Sequence, residues 1–544
     1  MHAPEATLSV LAPFEAYQAA RVDFAQGVAG LASAGRAQQP SHEVDASEKM
    51  IAALEASDTV GANVTALLTD PAPSVQRTAM IAMGRMCGQS LALCQQLCTT
   101  ENLRLTLSRV ALGAAPGLLR AALFLLYTCA STSAEAAREL VDLGALAPLC
   151  ERVEALDPAI KTDAVWCLAA IARHGAPLAK EVVESGALPL LKLCLKEPSA
   201  TLRRITLSCL GCIGQHNTDL ASALVREGLL PEVLPCLRHR DAVLRRQACR
   251  ALAVSAQHLD ELGWFKQEAT ADVTACLGTG DTETSAFAAA LVGQLARRSK
   301  PLSDKLHGLG APALALATIV SAAGSCPSSL VPAALGLGHF CEASPAAAAD
   351  AIERGAVATF CELLDARPLQ HVGAALALAL GSIAAADDES ANAVAVGGGL
   401  LTMARSTLVG GRRLTSLPAL SAARAGLAKG LAKCTHYPTL ADLMAELPLP
   451  TQAASAPAAT PGSTDAEVHS ALLLALAGAF AKNGNHRLDF MRRSLLVRAQ
   501  GAQNGDKKLE EALGKLNASF PGQMVKASQD PDYEQTLLRK IADK

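Results

Sequence analysis

The apolar residues between Pro177 and His216 change rhythm twice, and each change predicts a helix boundary. Pro177 to Ser185 reads as a short helix closed by Gly186, because a glycine takes the left-handed turn after a helix at no steric cost. Pro189 then falls in the first turn of a second helix, where a missing N–H is harmless. Leu188, Leu191 and Leu195 form its stripe, and Glu197-Pro198 ends it. A third helix is expected from Ser199 to His216. Its apolar residues Leu202, Ile205, Cys209, Leu210 and Ile213 recur at the helical period and define one buried face.

This unit repeats. Gly144, Gly186 and Gly228 are spaced 42 and 42, within VDLGAL, VESGAL and REGLL. His174, His216 and His258 keep the same step, as do Lys161, Arg203 and Arg245. The turn markers Asp157-Pro158, Glu197-Pro198 and Asp241 follow it closely. Gly310, Gly355 and the cluster Gly397–Gly399 extend the register forward. Backward steps reach a degenerate Asn102 and a fitting Gly61, while the place near Thr270 has lost its glycine. A period near 42 belongs to armadillo and HEAT arrays, and a short helix followed by two longer ones is the armadillo pattern. No single unit can bury its stripe alone, so neighbours must stack. The expected fold is therefore all-α: an armadillo-type right-handed superhelical solenoid of about nine or ten three-helix repeats, with an N-terminal capping helix and a C-terminal helical tail. With packed helices about 8–10 Å apart, the array would be a rod on the order of 100 Å long.

The repeats are assigned to residues 45–447. Before them, Leu8 to Leu31 reads as an amphipathic helix within a leading segment, 1–44, that concentrates scarce aromatics. It either caps the first repeat or docks a partner through Phe14, Tyr17, Arg21 and Phe24. Residues 448–465, rich in Ala, Pro, Ser and Thr, read as a flexible linker. A helical segment and tail, 466–544, follow it and contain Tyr533, Leu537 and Leu538.

Composition narrows the chemistry. Of the 544 residues 50% are hydrophobic but only 3% aromatic, so the core is built mostly from Ala, Leu and Val, which suits thin layers between helices. A net charge of −3 gives no global pull toward nucleic acid or membrane. No basic, apolar leader opens the chain, and the run Ala311–Ala323 is too short to span a bilayer. The 16 cysteines sit mostly inside apolar helical patterns, and no C-x-x-C pair is matched by a second, so buried thiols rather than zinc are expected. Gly397-Gly398-Gly399 lacks the strand and Lys-Ser/Thr of a phosphate loop. No catalytic residue, cofactor or metal is expected, and the chain reads as a non-enzyme.

Two periodic sets remain. The histidines end successive third helices, where a donor complements exposed carbonyls; one repeat apart, they are too distant to share an ion. Lys161, Arg203, Arg204, Arg245 and Arg246 form a basic ladder early in those helices. A cation there gains nothing from the helix dipole, which leaves two readings: a solvated face, or a groove for an acidic segment such as a tubulin tail. Trp166 lacks the companion asparagine of import adaptors, since residue 170 is alanine, and equivalent tryptophans are absent at Ser208 and Arg250. Ordinary packing is its expected role.

Beyond the repeat, Phe14-Glu15-Ala16-Tyr17-Gln18-Ala19-Ala20-Arg21-Val22, Ser74-Val75-Gln76-Arg77-Thr78-Ala79, the stretch Leu156–His258, Lys433-Cys434-Thr435 and the tail with Tyr533 and Thr536-Leu537-Leu538 are similar to one family. The chain resembles the armadillo-repeat protein of the ciliary central apparatus, the sperm-associated antigen family of sperm tails and algal flagella, or a diverged paralogue of it. The resemblance implies a scaffold of the axonemal central pair that stacks with other armadillo proteins near a central microtubule. Its partners would be other central-apparatus proteins and tubulin, and its location the cilium. The competing expectation is a soluble cytoplasmic adaptor holding acidic peptides in its groove. A ladder regular for three units that then meets Phe287 favours several distinct contacts over one long peptide.

Overall fold

The structure, a computed structural model, describes residues 19–30, 58–111, 114–366, 369–407, 417–447, 464–501 and 506–529, with Ala16 and Glu55. All regular elements among the described residues are helices, with no strand. The chain divides into two compact units, Met1–Leu259 and Asp260–Lys544.

In the first unit the module read around Gly186 is realised as helices Ala176–Glu184, Ala187–Lys196 and Ala200–Gly214. Gly186 takes φ 83°, a left-handed value that a side chain would strain. The side chain of Ser199 accepts from the Leu202 N–H and starts the third helix. Leu188, Leu191, Leu195, Leu202, Ile205, Cys209, Leu210 and Ile213 are all buried, as their spacing requires. The same left-handed turn recurs at Gly144, Gly228, Gly310, Gly355 and Gly398. The backward step fails at Gly61, which lies inside helix Asp58–Ala66 and not in a turn. Asn102 likewise lies within Thr100–Ala111, and its side-chain amide donates to the Leu97 carbonyl at 2.8 Å.

Third helices Pro73–Cys87, Pro116–Thr132, Pro158–Ala172, Ala200–Gly214 and Ala242–Ala256 pack one on the next. The helical stretch 19–30 covers the first repeat. Ala25, Val28 and Ala29 are buried, Arg21 pairs with Asp70, and Arg85 Nη1 donates to the Ala29 carbonyl at 3.1 Å.

The second unit stacks Thr282–Arg298, Pro327–Ala343, Gln370–Ala384 and Leu417–Ala432 in the same way. Here the backbones approach far more closely. A Cβ on Gly293 would lie 2.3 Å from the Gly336 carbonyl oxygen, one on Gly336 2.3 Å from that of Ala289, and one on Gly381 2.0 Å from that of Gly426. In the first unit, a Cβ on Gly211 would meet Ala251 only at an ordinary 3.6 Å. Residues 260–266, near the missing glycine of the register, form no first helix. Trp264 and Phe265 are buried there, edge to face at 5.6 Å. Residues 448–463 lie outside the described residues. Beyond them the stacking goes on: Thr464–Lys482 packs on Leu417–Ala432, and Lys507–Asn517 on Thr464–Lys482. Ser494, at φ 54°, stands between the short helices His486–Arg492 and Leu495–Gln500 where earlier modules place glycine.

No single helix among the described residues is long and apolar enough to cross a membrane. Lys300–Gly308 and Ala311–Ser325 would suffice only as a pair, and they meet at 70° with Leu302, Leu306, Ala315 and Ile319 buried inside the unit.

Candidate partner-binding face

The predicted basic ladder divides on inspection. Lys161, Arg203 and Arg245 stand three residues into their third helices, and Arg204 and Arg246 stand four. One residue turns the side chain by about 100° around the axis. Lys161 pairs with Glu197 at the end of the following second helix. Arg203 Nη2 donates to Cys236 Sγ at 3.2 Å, and Arg245 Nη1 to the carbonyls of His239 and Arg240 at 2.8 and 3.0 Å. Arg204 pairs with Asp241, whose other oxygen accepts from the Leu244 N–H and caps the next third helix. Two modules before Arg204, Arg120 likewise reaches forward to the next third helix, its Nε 2.8 Å from Asp163 Oδ2. Lys161, Arg203, Arg204 and Arg120 therefore fasten one module to the next, while Arg245 ties down the loop that leads into its own helix, and these bonds explain cations where the helix dipole offers them nothing. Arg246 is half-buried.

The histidines fasten the modules too. Nε2 of His216 lies 2.8 Å from the Ala172 carbonyl, and Nε2 of His258 2.8 Å from that of Gln215. His174 reaches the Ala130 carbonyl in the same manner. Each imidazole donates to a carbonyl at the end of the preceding third helix rather than its own, so the cap crosses the module boundary.

The open side of the first unit's third helices carries a different set of residues. One depression of about 640 Å³ is lined by Arg77, Arg85, Arg120, Phe124 and Asp163, with Gln26 at its edge. A second, of about 340 Å³, is lined by Tyr127, Trp166, Arg173, Ser208, Gln215 and Arg250. Trp166 is 38% exposed and leans on Tyr127, with ring centroids 5.2 Å apart. Together the linings hold five arginines and a single carboxylate, Asp163. Burial pushes the pKa of Asp163 up, against the opposing pull of Arg120. Such a surface presents planar donors for carboxylates and aromatic faces for stacking. Trp166 packs on Tyr127 as expected and also lines the depression. Sequence reading passed over Arg173 and Arg250 because they lie outside the register of the ladder, and over Arg77 because the ladder was not carried two steps back from Lys161.

Of the proposed docking helix, Arg21 is held in its pair with Asp70 and Phe24 is 39% exposed. Phe14 and Tyr17 lie outside the described residues, as do Tyr533, Leu537 and Leu538 of the tail. One grouping had no counterpart in the sequence reading. The sulfurs of Cys87, Cys94, Cys98 and Cys129 all lie within 4.8 Å of one another, where metal ligands would lie.

Neither a family model nor a curated protein matches the sequence. Among solved structures, an engineered protein from the Northeast Structural Genomics Consortium superposes with a TM-score of 0.51 at 19% identity, covering 75% of this chain and 94% of its own. A designed armadillo repeat protein matches at 0.40 and 19%, over 43% of this chain and 98% of its own. Another, solved in complex with the peptide (KR)4, matches at 0.39 and 22%, over 44% and 99%. At these identities the first likeness speaks for the fold alone. With the repeated three-helix module and its left-handed glycine, it makes this chain an all-α armadillo-type solenoid. The class is one of stacked helical repeats, each contacting chiefly its neighbours.

Proposed function

We propose that the chain is a non-enzymatic scaffold that binds acidic protein segments along the third-helix face of its first unit. The observation that carries this reading is the excess of arginine over carboxylate in the two depressions, beside the rings of Phe124, Tyr127 and Trp166. The resemblance to the central-apparatus family supports the finer reading: a structural component of the axonemal central pair that stacks with other armadillo proteins near a central microtubule. An acidic tubulin tail has the charge this face would hold. The soluble-adaptor reading shares the same face, but discrete depressions suit several separate contacts better than one long peptide.

The two readings separate on fractionation, and the face they share is tested by binding. Antibody detection after detergent extraction of cilia should find the chain with the insoluble axoneme; recovery in the soluble pool overturns the scaffold reading. A glutamate-rich peptide should bind the purified chain with strong salt dependence. Arg173→Glu with Arg250→Glu should weaken it at least about tenfold, since like charges now face each other. Unchanged affinity in that folded double variant overturns the binding face.

A further inference from the structure

We propose that Cys87, Cys94, Cys98 and Cys129 form a structural zinc site at the junction of the first two modules. The four sulfurs come from three helices. Cys87 ends Pro73–Cys87, Cys94 lies in Leu91–Leu97 with Cys98 as its C-cap, and Cys129 lies in Pro116–Thr132. Sulfur separations are 3.8 Å for Cys87–Cys98, 3.5 Å for Cys94–Cys98 and 2.6 Å for Cys98–Cys129, and no pair exceeds 4.8 Å. Four thiolates about 2.3 Å from one zinc ion stand about 3.8 Å apart at the corners of a tetrahedron. The set meets that spacing once Cys98 and Cys129 part by about 1 Å. Cys98 is the ligand free to move, since it is half-buried at a helix end while the other three are buried. A multi-iron cluster spreads its ligands around several metals and fits this compact set less well than one ion does.

Comparison among modules supports a specific site over incidental thiols. In the third helices that follow, the place of Cys87 is taken by Ala130, Ala172, Gly214 and Ala256. That of Cys129 is taken by Met86 in the module before and by Ile171, Ile213 and Ser255 after. In the first unit the other occupants of both places are thus small or alkyl; Cys341 takes the place of Cys87 in Pro327–Ala343 of the second unit, but among the described residues it joins no such group of four sulfurs. The spacing C-x6-C-x3-C-x30-C escapes the paired C-x-x-C pattern because the ligands are gathered by stacking and not by one loop.

The surroundings suit loading. A depression of about 350 Å³ is lined by Cys94 and Cys98 together with Glu135 and Glu139, whose charge attracts a cation. The backbone starts of Thr100–Ala111 and Ala134–Asp142 lie at the same opening, and their N–H groups favour the negative charge that four thiolates and one Zn²⁺ leave. Each thiol gives its proton to solvent as the metal binds. The ion would then cross-link two third helices and the first helix between them.

The full chain, expressed and purified with a reducing agent and no chelator, should carry about one zinc per molecule by plasma mass spectrometry. Cobalt(II) titrated into the metal-stripped chain should give the intense visible absorption of a tetrahedral thiolate site, saturating at one equivalent. Cys98→Ser, at the half-exposed ligand, should weaken cobalt binding at least tenfold with the far-UV circular dichroism unchanged, while Cys326→Ser outside the cluster should leave it alone. Should the Cys98→Ser chain unfold, the wild-type titration decides by itself. A zinc-free wild-type chain that shows no cobalt–thiolate absorption overturns the proposal. So does a Cys98–Cys129 disulfide found by peptide mapping of the chain prepared under reducing conditions.

Discussion

Gly381→Ala and Gly514→Ala are the same chemical change with opposite expected sign. Both glycines lie inside helices, where alanine is worth roughly 0.5–1 kcal/mol through lower unfolded-state entropy and better helix propensity. Around Gly514 an added Cβ meets nothing within 4 Å, so that gain should appear in full. At Gly381 the Cβ would sit 2.0 Å from the Gly426 carbonyl oxygen, 2.5 Å from its carbon and 2.7 Å from its Cα. Those are backbone atoms of Leu417–Ala432, which no rotamer change can clear. The two helices must separate by about 1 Å, and overpacking of this kind costs roughly 1–3 kcal/mol or more. Set against a gain below about 1 kcal/mol, the clash wins. A change of about 1 kcal/mol moves the melting midpoint of a unit this size by roughly 2–4 °C. Thermal melts of the full chain followed by circular dichroism should show Gly381→Ala lowered by about 2–8 °C and Gly514→Ala raised by about 1–4 °C. A Gly381→Ala chain melting at or above wild type would refute the close backbone approach.

Asp241→Ala removes an N-cap and the partner of Arg204 together, and should cost about 1–2 kcal/mol, most of it from the cap because the pair is partly exposed; urea titration measures it. Burial raises the Asp241 pKa, but the bonds from Arg204 and the Leu244 N–H outweigh it and hold the group below its ordinary value. That stabilisation is therefore present above the usual carboxylate range and lost as pH falls through the lower folded value. His216→Ala should cost about 1 kcal/mol and speed hydrogen exchange at the end of Pro158–Ala172, whose carbonyl it leaves bare. Burial, then Arg297, pulls the pKa of His339 down to about 4, and Gln294 Nε2 lies 3.2 Å from its Nδ1, which must accept and so be unprotonated. Its contribution is complete above about pH 6.5 and drains away between there and about pH 4. The wild-type midpoint should fall more steeply over that range than that of His339→Gln, and parallel slopes would count against the assignment.

Most of the architecture was legible because left-handed turns need glycine: Gly144, Gly186, Gly228, Gly310, Gly355 and Gly398 all stand where the register put them. Gly61 shows the limit, since a helix interior tolerates the same residue for a different reason. The ladder was visible as periodic charge, but its purpose was not. Lys161 and Glu197, or Arg204 and Asp241, are about a module apart in sequence and become neighbours only once the stacking is known. The arginines of the open face obey no single register. The cysteine group is drawn from three helices, so no linear spacing announced it.

The histidine bonds run in one direction only. Carbonyls closing one third helix are answered by an imidazole that lies about a module further along the chain. During synthesis, then, an emerging module stays frayed at its exit end until some forty more residues have left the ribosome, a delay on the order of 2–8 s at ordinary translation speeds. Growth of this unit is thus biased to zip from its N-terminal side, and a ribosome stalled within a repeat would leave the last finished layer ajar.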